Sequence, residues 1–212
     1  MAVSSELYDA ILNGDARKAH SATQAAIDAG NAPMELISAC MVPAMNEVGR
    51  LYEAEEYFVP ELLLSGRAMK SAMEILRPLI ASAGLKLANR VIIGTVKGDL
   101  HDIGKNIVAS MLEGSGFEVI DLGADVSPEK FVAAVEEREP QVVCMSSLLT
   151  VTMPVMRTTI QALETAGVRH KVKVLIGGAP VTQQYADEIG ADGYGDNASL
   201  AVSAVKNLCA VA

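Results

Sequence analysis

Cysteine is scarce: three in 212 residues, an odd number too widely spaced for a disulfide framework. Cys40, Cys144 and Cys209 each stand alone in apolar surroundings with no C-x-x-C pair, so reduced, buried thiols and a cytoplasmic location are expected. No apolar run approaches the roughly 20 residues a bilayer-spanning helix needs. The opening "MAVSSELYDA" has neither the basic flank nor the apolar stretch of a signal peptide, so no membrane association is expected. Basic residues are also short, 17 Lys and Arg against 26 Asp and Glu, with no cluster to offset a net charge of -9; nucleic acid is not an expected partner. Histidine is the scarcest chemical resource. Its three copies, His20, His101 and His170, are too scattered for a polyhistidine metal site. A G-x-S-x-G elbow is absent, which removes the strand-to-helix serine hydrolases.

What is present divides in two. Hydrophobic residues make up 50% of the chain, enough for a well-buried core. Up to residue 88 they recur at helical spacing: Leu36, Ile37, Cys40, Met41, Ala44, Met45 and Val48 mark one wide face of a helix that Pro33 can open. A second helix follows Pro60, with Leu62, Gly66, Met69, Met73, Leu76 and Ile80 as its stripe, Pro78 near its last turn and Gly84 as its stop. Ser5 and Asp15 are candidate caps of two shorter helices, the second of them stopped by Gly30. Residues 1–88 therefore read as a bundle of four or five helices, with most of the ten methionines filling its core.

After the polar joint "GLKLANR" the pattern changes. "RVIIGTV", "FEVIDLG", "QVVCMSS" and "KVKVLIGG" are Val- and Ile-rich runs, and "DGYG" is a weaker fifth. Helical patterns near 103–115, 128–138, 153–166, 182–189 and 197–210 alternate with them. Strands apolar on both faces and separated by helices predict a flavodoxin-like, doubly wound parallel sheet of five strands over residues 89–212. Ligands of such sheets gather beyond the carboxyl ends of the strands.

The segment "GDLHDIGKNIV", residues 98–108, lies at the end of the first strand. In extended backbone, residues two apart share a side, so Asp99 can meet His101. A carboxylate on one imidazole nitrogen leaves the other as a fixed, more basic ligand or base. Gly104 permits close approach of another molecule, and the helix that follows offers free N–H groups. An isolated D-x-H is equally compatible with a surface pair or a helix-start hydrogen bond. Two further strand ends sharpen the reading: "SSLLTVT" supplies Ser146, Thr150 and Thr152, and "GGAPVT" supplies Gly177 and Gly178, all expected to line one crevice.

This combination resembles the cobalamin-binding domain of cobalamin-dependent methionine synthase and of the corrinoid proteins of methyltransferase systems. The signature D-x-H-x-x-G is met by Asp99, His101 and Gly104 within Gly98, Leu100, Asp102 and Ile103, the S-x-L pattern by Ser146 and Leu148, and the double glycine by "GGAP". "GRLYEAEEYFVPELLLSGRAM" is similar to the helical cap module that precedes this domain in the methyl-transfer branch. The compact length resembles the methylamine, methanol or methoxyl corrinoid subunits more than methionine synthase.

The resemblance implies a cobalamin cofactor with its lower base detached and His101 on cobalt in its place. Asp99 would hold the second imidazole nitrogen, and Thr152 would hydrogen-bond Asp99. Ser146 and Thr150 would bond the nucleotide tail, Gly177 and Gly178 would admit it, and Ala198 would pack near its base. Phe58 and Val59 would shield the methyl face. A carboxylate beside a histidine that must leave the metal favours the imidazolium, so the pair is expected to couple proton uptake to cobalt reduction. The implied function is a non-catalytic methyl carrier. It would be methylated as Co(I) by a substrate methyltransferase, demethylated as methyl-Co(III) by a second one acting on tetrahydrofolate or a thiol, and rescued by a reductive activase. The joint at Gly84–Asn89 is expected to let the halves separate. The alternative is an adenosylcobalamin-dependent regulator; the light-sensing branch of that class carries a cap tryptophan, and this chain has no tryptophan.

Overall fold

A computed structural model of the chain describes residues 2–83 and 89–210. Contacts divide it into two compact units, Met1–Ala88 with Ser110–Phe117, and Asn89–Ala109 with Glu118–Ala212. Gly84, the expected helix stop, and the expected joint as far as Ala88 lie outside the described residues. No helix among the described residues is long and apolar enough to cross a membrane.

The first unit holds α1 (Ala2–Leu12), α2 (Ala16–Asp28), α3 (Pro33–Leu36), α4 (Val42–Glu53) and α5 (Val59–Ser82). Asp15 caps α2 by accepting the Lys18 N–H at 3.0 Å. Ser5 does not cap α1; it lies inside a helix that begins at Ala2, since no residue before it disfavours helical backbone. A single π turn, Ile37–Met41, joins α3 to α4, and the Val42 N–H reaches back to Ile37 O. Pro43 accounts for it: proline has no N–H, and its ring would strike the carbonyl four residues earlier in an unbroken α-helix. The apolar face from Leu36 to Val48 survives the turn and is buried throughout. In α5 the stripe from Leu62 to Ile80 is buried, and Pro78 lies inside the helix. Met41, Met45, Met69 and Met73 are core residues, whereas Cys209, expected to be buried, is only partly so. That exposure follows from its place in the last turn of the chain's final helix.

The second unit is a parallel sheet in the order β2-β1-β3-β4-β5: β1 (Arg90–Thr95), β2 (Glu118–Asp121), β3 (Val142–Ser146), β4 (Lys173–Gly177) and β5 (Gly193–Gly195). The helices are α6 (Ile103–Gly114), α7 (Pro128–Arg138), α8 (Pro154–Thr165), α9 (Gln183–Ile189) and α10 (Ala198–Ala210). One core cluster runs through Ile92, Phe131, Val143, Met156, Leu163 and Val174. Truncating any of its large residues to alanine would cost about 2–5 kcal/mol, lost transfer energy and cavity together. The C-terminal part of α6, within Ser110–Phe117, groups with the helical unit, where Glu113 Oε1 accepts Arg77 Nη2 at 2.8 Å.

The strand order reverses between β1 and β3. Their register pairs Thr95 with Ser146, so the chain leaves the two strands side by side, and the next residues of each face one another at the carboxyl edge.

Candidate functional site

The loop after β1 is shaped before any side chain of interest is placed. Gly98 turns it with φ +83, a conformation that favours glycine, and its N–H donates to Asp125 Oδ1 at 2.7 Å. Asp125 itself, in the loop after β2, returns its N–H to Asp99 O at 3.0 Å. From below, Thr95 Oγ1 donates to His101 O at 3.1 Å. Both sides of the loop are therefore tied to the sheet.

Asp99 and His101 meet as the sequence suggested, but not through strand alternation. Residues 97 and 98 form a turn and 99–102 follow it without regular structure, and Asp99 Oδ1 accepts both the backbone N–H of His101 at 3.0 Å and its ring Nδ1–H at 2.7 Å. This is an Asx-type turn. Asp99 Oδ2 accepts three more bonds from the loop after β3: Leu148 N–H at 2.7 Å, Leu149 N–H at 3.2 Å and Thr152 Oγ1–H at 2.9 Å. The Asp99 side chain is 0% exposed, and burial alone would raise its pKa. The hydrogen bonds from His101, Leu148 and Thr152 outweigh burial and hold the carboxyl well below the usual range, so it is ionised. An ionised carboxylate can only accept; the Nδ1 proton is thereby fixed on the ring, and the lone pair falls to Nε2. The imidazole is 52% exposed, and Nε2 bonds no described residue.

Around this imidazole the chain exposes apolar side chains instead of burying them. Leu100, Ile103, Leu148, Leu149 and Val151 are all exposed, Val151 to 80%. Such a concentration at one sheet edge is a surface awaiting an apolar neighbour. Among the described residues no group of three or more His, Cys, Asp and Glu side chains could hold a bare metal ion. One exposed imidazole nitrogen among apolar side chains suits instead a metal carried in a large, mostly apolar macrocycle.

The remaining sequence candidates fall as follows. Gly104 is exposed in the first turn of α6, and a Cβ there would meet nothing within 4 Å, so the chain itself does not require its bareness. Asp102 precedes α6 and accepts Asn106 Nδ2 at 3.1 Å. The hydroxyls of Ser146 and Thr150 bond no described residue, and Thr150 is exposed. Gly177 and Gly178 have a reason within the fold. A Cβ on Gly177 would lie 2.9 Å from Gly195 O, and one on Gly178, at φ +129, only 1.9 Å from Ser147 O. Ala198 is half-buried at the start of α10. Phe58 and Val59 belong to the helical unit, where they are exposed at the start of α5; the Phe58 N–H donates to Glu61 Oε2 at 2.9 Å.

Three features were not singled out from the sequence. Asp125 holds the turn at Gly98. Ser147 is fully buried with its Oγ 2.7 Å from Thr152 Oγ1. Lys105, noticed only as part of the motif, is buried with its Nζ 2.5 Å from Asp121 Oδ2 and 2.6 Å from Asn106 Oδ1, which fastens the start of α6 to the end of β2.

Comparison with known proteins gives the family. The B12 binding domain family matches residues 89–203, and a second family of the same description matches residues 3–77. Trimethylamine corrinoid protein 1 of Methanosarcina acetivorans is 42% identical over 200 residues, 93% of either chain. The methanol:cobalamin methyltransferase complex MtaBC of Methanosarcina barkeri contains a similar structure at TM-score 0.88 and 31% identity, covering 100% of this chain and 81% of that one. A cobalamin-binding protein of Desulfitobacterium hafniense DCB-2 matches at TM-score 0.79 and 35% identity over 97% of this chain and 98% of that one. The chain thus belongs to the corrinoid proteins and binds cobalamin, and Asp99 and His101 lie within the residues that the first of these families matches.

Proposed function

We propose that the chain is a methyl carrier, the corrinoid subunit of a methyltransferase system, and inert as a catalyst by itself. The observation that carries this reading is the single exposed imidazole nitrogen, Nε2 of His101, aimed by a buried, ionised carboxylate. The bound corrinoid supplies the cobalt that takes up and releases the methyl group. His101 would hold the cobalt through Nε2. Asp99 holds the Nδ1 proton, so the ring keeps one orientation and leaves its lone pair on Nε2. Thr152 and the Leu148 and Leu149 N–H groups hold Asp99. Leu100, Ile103, Leu148 and Val151, all exposed, would pack against the macrocycle and keep water from it. Ser146 and Thr150 would offer their hydroxyls to the nucleotide tail, and Gly98, Asp102, Gly104, Gly177, Gly178 and Ala198 are the residues that would edge its path. Phe58 and Val59, exposed and apolar, are the residues that would shield the methyl group.

The relatives named for trimethylamine and methanol support a one-carbon donor delivered by a substrate methyltransferase. A second methyltransferase, acting on tetrahydrofolate or a thiol, takes the group away, and a reductive activase restores oxidised cofactor, all in the cytoplasm. Reconstitution with cobalamin tests the reading. The wild-type chain should give the visible spectrum of a base-off, histidine-ligated corrinoid, and His101→Ala should lose it. Identical spectra would remove His101 as ligand. Offering the reduced holoprotein methylamines and methanol with their methyltransferases then identifies the donor.

A further inference from the structure

Ser147 is held from both ends. Its N–H donates to Gly177 O at 3.2 Å, and its carbonyl fills the space that Gly178 leaves open. Its hydroxyl faces Thr152 Oγ1 at 2.7 Å, where either oxygen could be the donor. Counting protons decides which. The two hydroxyls have two protons between them. Thr152 Oγ1 reaches Asp99 Oδ2 and Leu149 O, each at 2.9 Å, and Ser147 Oγ reaches Leu149 O at 3.2 Å. Leu149 O already accepts the N–H groups of Thr152 at 3.0 Å and Met153 at 3.2 Å, so both its lone pairs are engaged. Asp99 Oδ2 is anionic, and a charge-assisted bond is roughly twice as strong as a neutral one. The Thr152 proton therefore goes to Asp99, and the Thr152 oxygen is left to accept the proton of Ser147.

We propose that Ser147 is a positioning residue, the head of a chain of hydrogen bonds Ser147, Thr152, Asp99, His101 that ends at the free Nε2. By donating to Thr152 it turns that hydroxyl toward Asp99 and polarises it, and Asp99 in turn sets how firmly the Nδ1 proton of His101 is held. The motif pattern S-x-L treats this position as free; the fold gives it a fixed partner. The inference rests on the reading of His101 as the cobalt ligand.

The test uses the full apo-chain, labelled with ¹⁵N-histidine and held at one pH where the ring is neutral, with the His101 Hδ1 resonance as readout. Thr152→Val removes a donor from Asp99, so the carboxylate grips Nδ1–H harder and Hδ1 moves downfield. Ser147→Ala should move it the same way by about 10–30% of that displacement, the share one bond contributes to its neighbour in a chain. Ser147→Cys, which fills the site with a poor donor, should do likewise and supplies the reading if the alanine variant does not fold. Adding either change to Thr152→Val should move nothing further. If Thr152→Val moves Hδ1 and the Ser147 variants leave it at the wild-type position, or displace it further in the Thr152→Val background, Ser147 only fills space and the proposal is wrong. If Thr152→Val itself leaves Hδ1 unmoved, the relay fails and the role of Ser147 with it. The His101→Ala spectrum of the loaded protein separately decides the ligand.

Discussion

The carbonyl oxygen of Ser147 stands 1.9 Å from the point where a Cβ on Gly178 would lie. Two loops, one after β3 and one after β4, therefore touch backbone to backbone, and the first of them carries the N–H groups and the hydroxyl that hold Asp99. Gly178→Ala should both strain its own backbone at φ +129 and push that loop away. A loss of about 2–4 kcal/mol is expected, seen as a lower urea midpoint with an unchanged slope. Cobalamin retention should fall as well, because Leu148 and Leu149 would no longer reach the carboxylate.

Gly104→Ala should behave oppositely in the two measurements. A Cβ there meets nothing within 4 Å and φ is not positive, so the apo-chain should gain about 0.4–1 kcal/mol from a less flexible unfolded state. Cobalamin binding should weaken, since the new methyl group would stand in open space that the corrinoid is proposed to fill. An apo-chain made less stable, or a holoprotein of unchanged affinity, would contradict the role given to this glycine.

Asp99→Asn should cost about 1–3 kcal/mol at neutral pH, because an amide cannot accept five hydrogen bonds and turns an N–H group toward other donors. The pH dependence has a definite sign. The folded carboxyl titrates below its unfolded value, so its stabilisation is complete above that unfolded value of about 3.9 and is lost as the pH falls below it. The gap in unfolding free energy between wild type and Asp99→Asn should narrow below about pH 4. Chemical denaturation at a series of pH values reads it directly.

Lys105→Met keeps the buried stem and deletes the charge. Asp121 is partly exposed, 41% of its side chain, and can rehydrate, so the loss should stay near 1.5–3 kcal/mol, the range for a hydrogen bond to a charged group. Hydrogen exchange at the first turn of α6 should rise more than at β3, since the pair fastens that turn to β2.

The sheet was legible in the sequence because its central strands, β1, β3 and β4, are buried on both faces. Runs such as "RVIIGTV" have no polar alternation to blur them, and each turned out to contain its strand. The π turn was not legible. It displaces the apolar face by one residue in twenty, and its only mark is Pro43 in the middle of a helical pattern. Asp99 and His101 were found because both partners lie within three residues, although the contact is made by a turn and not by a strand. Ser147 was hidden for a different reason. It becomes a neighbour of Thr152 only when residues 149–152 fold back, and a hydroxyl five positions ahead of another has no meaning until that turn is known. Gly177 and Gly178 were noticed as gaps for a ligand. Their first duty is to let strands and loops of the chain itself approach.

Among the described residues no buried side-chain nitrogen or oxygen lacks a partner, the five-bonded carboxylate of Asp99 included. Every acceptor position of that carboxylate is taken up by groups of the chain itself, so the orientation of the His101 ring is decided by covalently linked neighbours, the loops after β1 and β3.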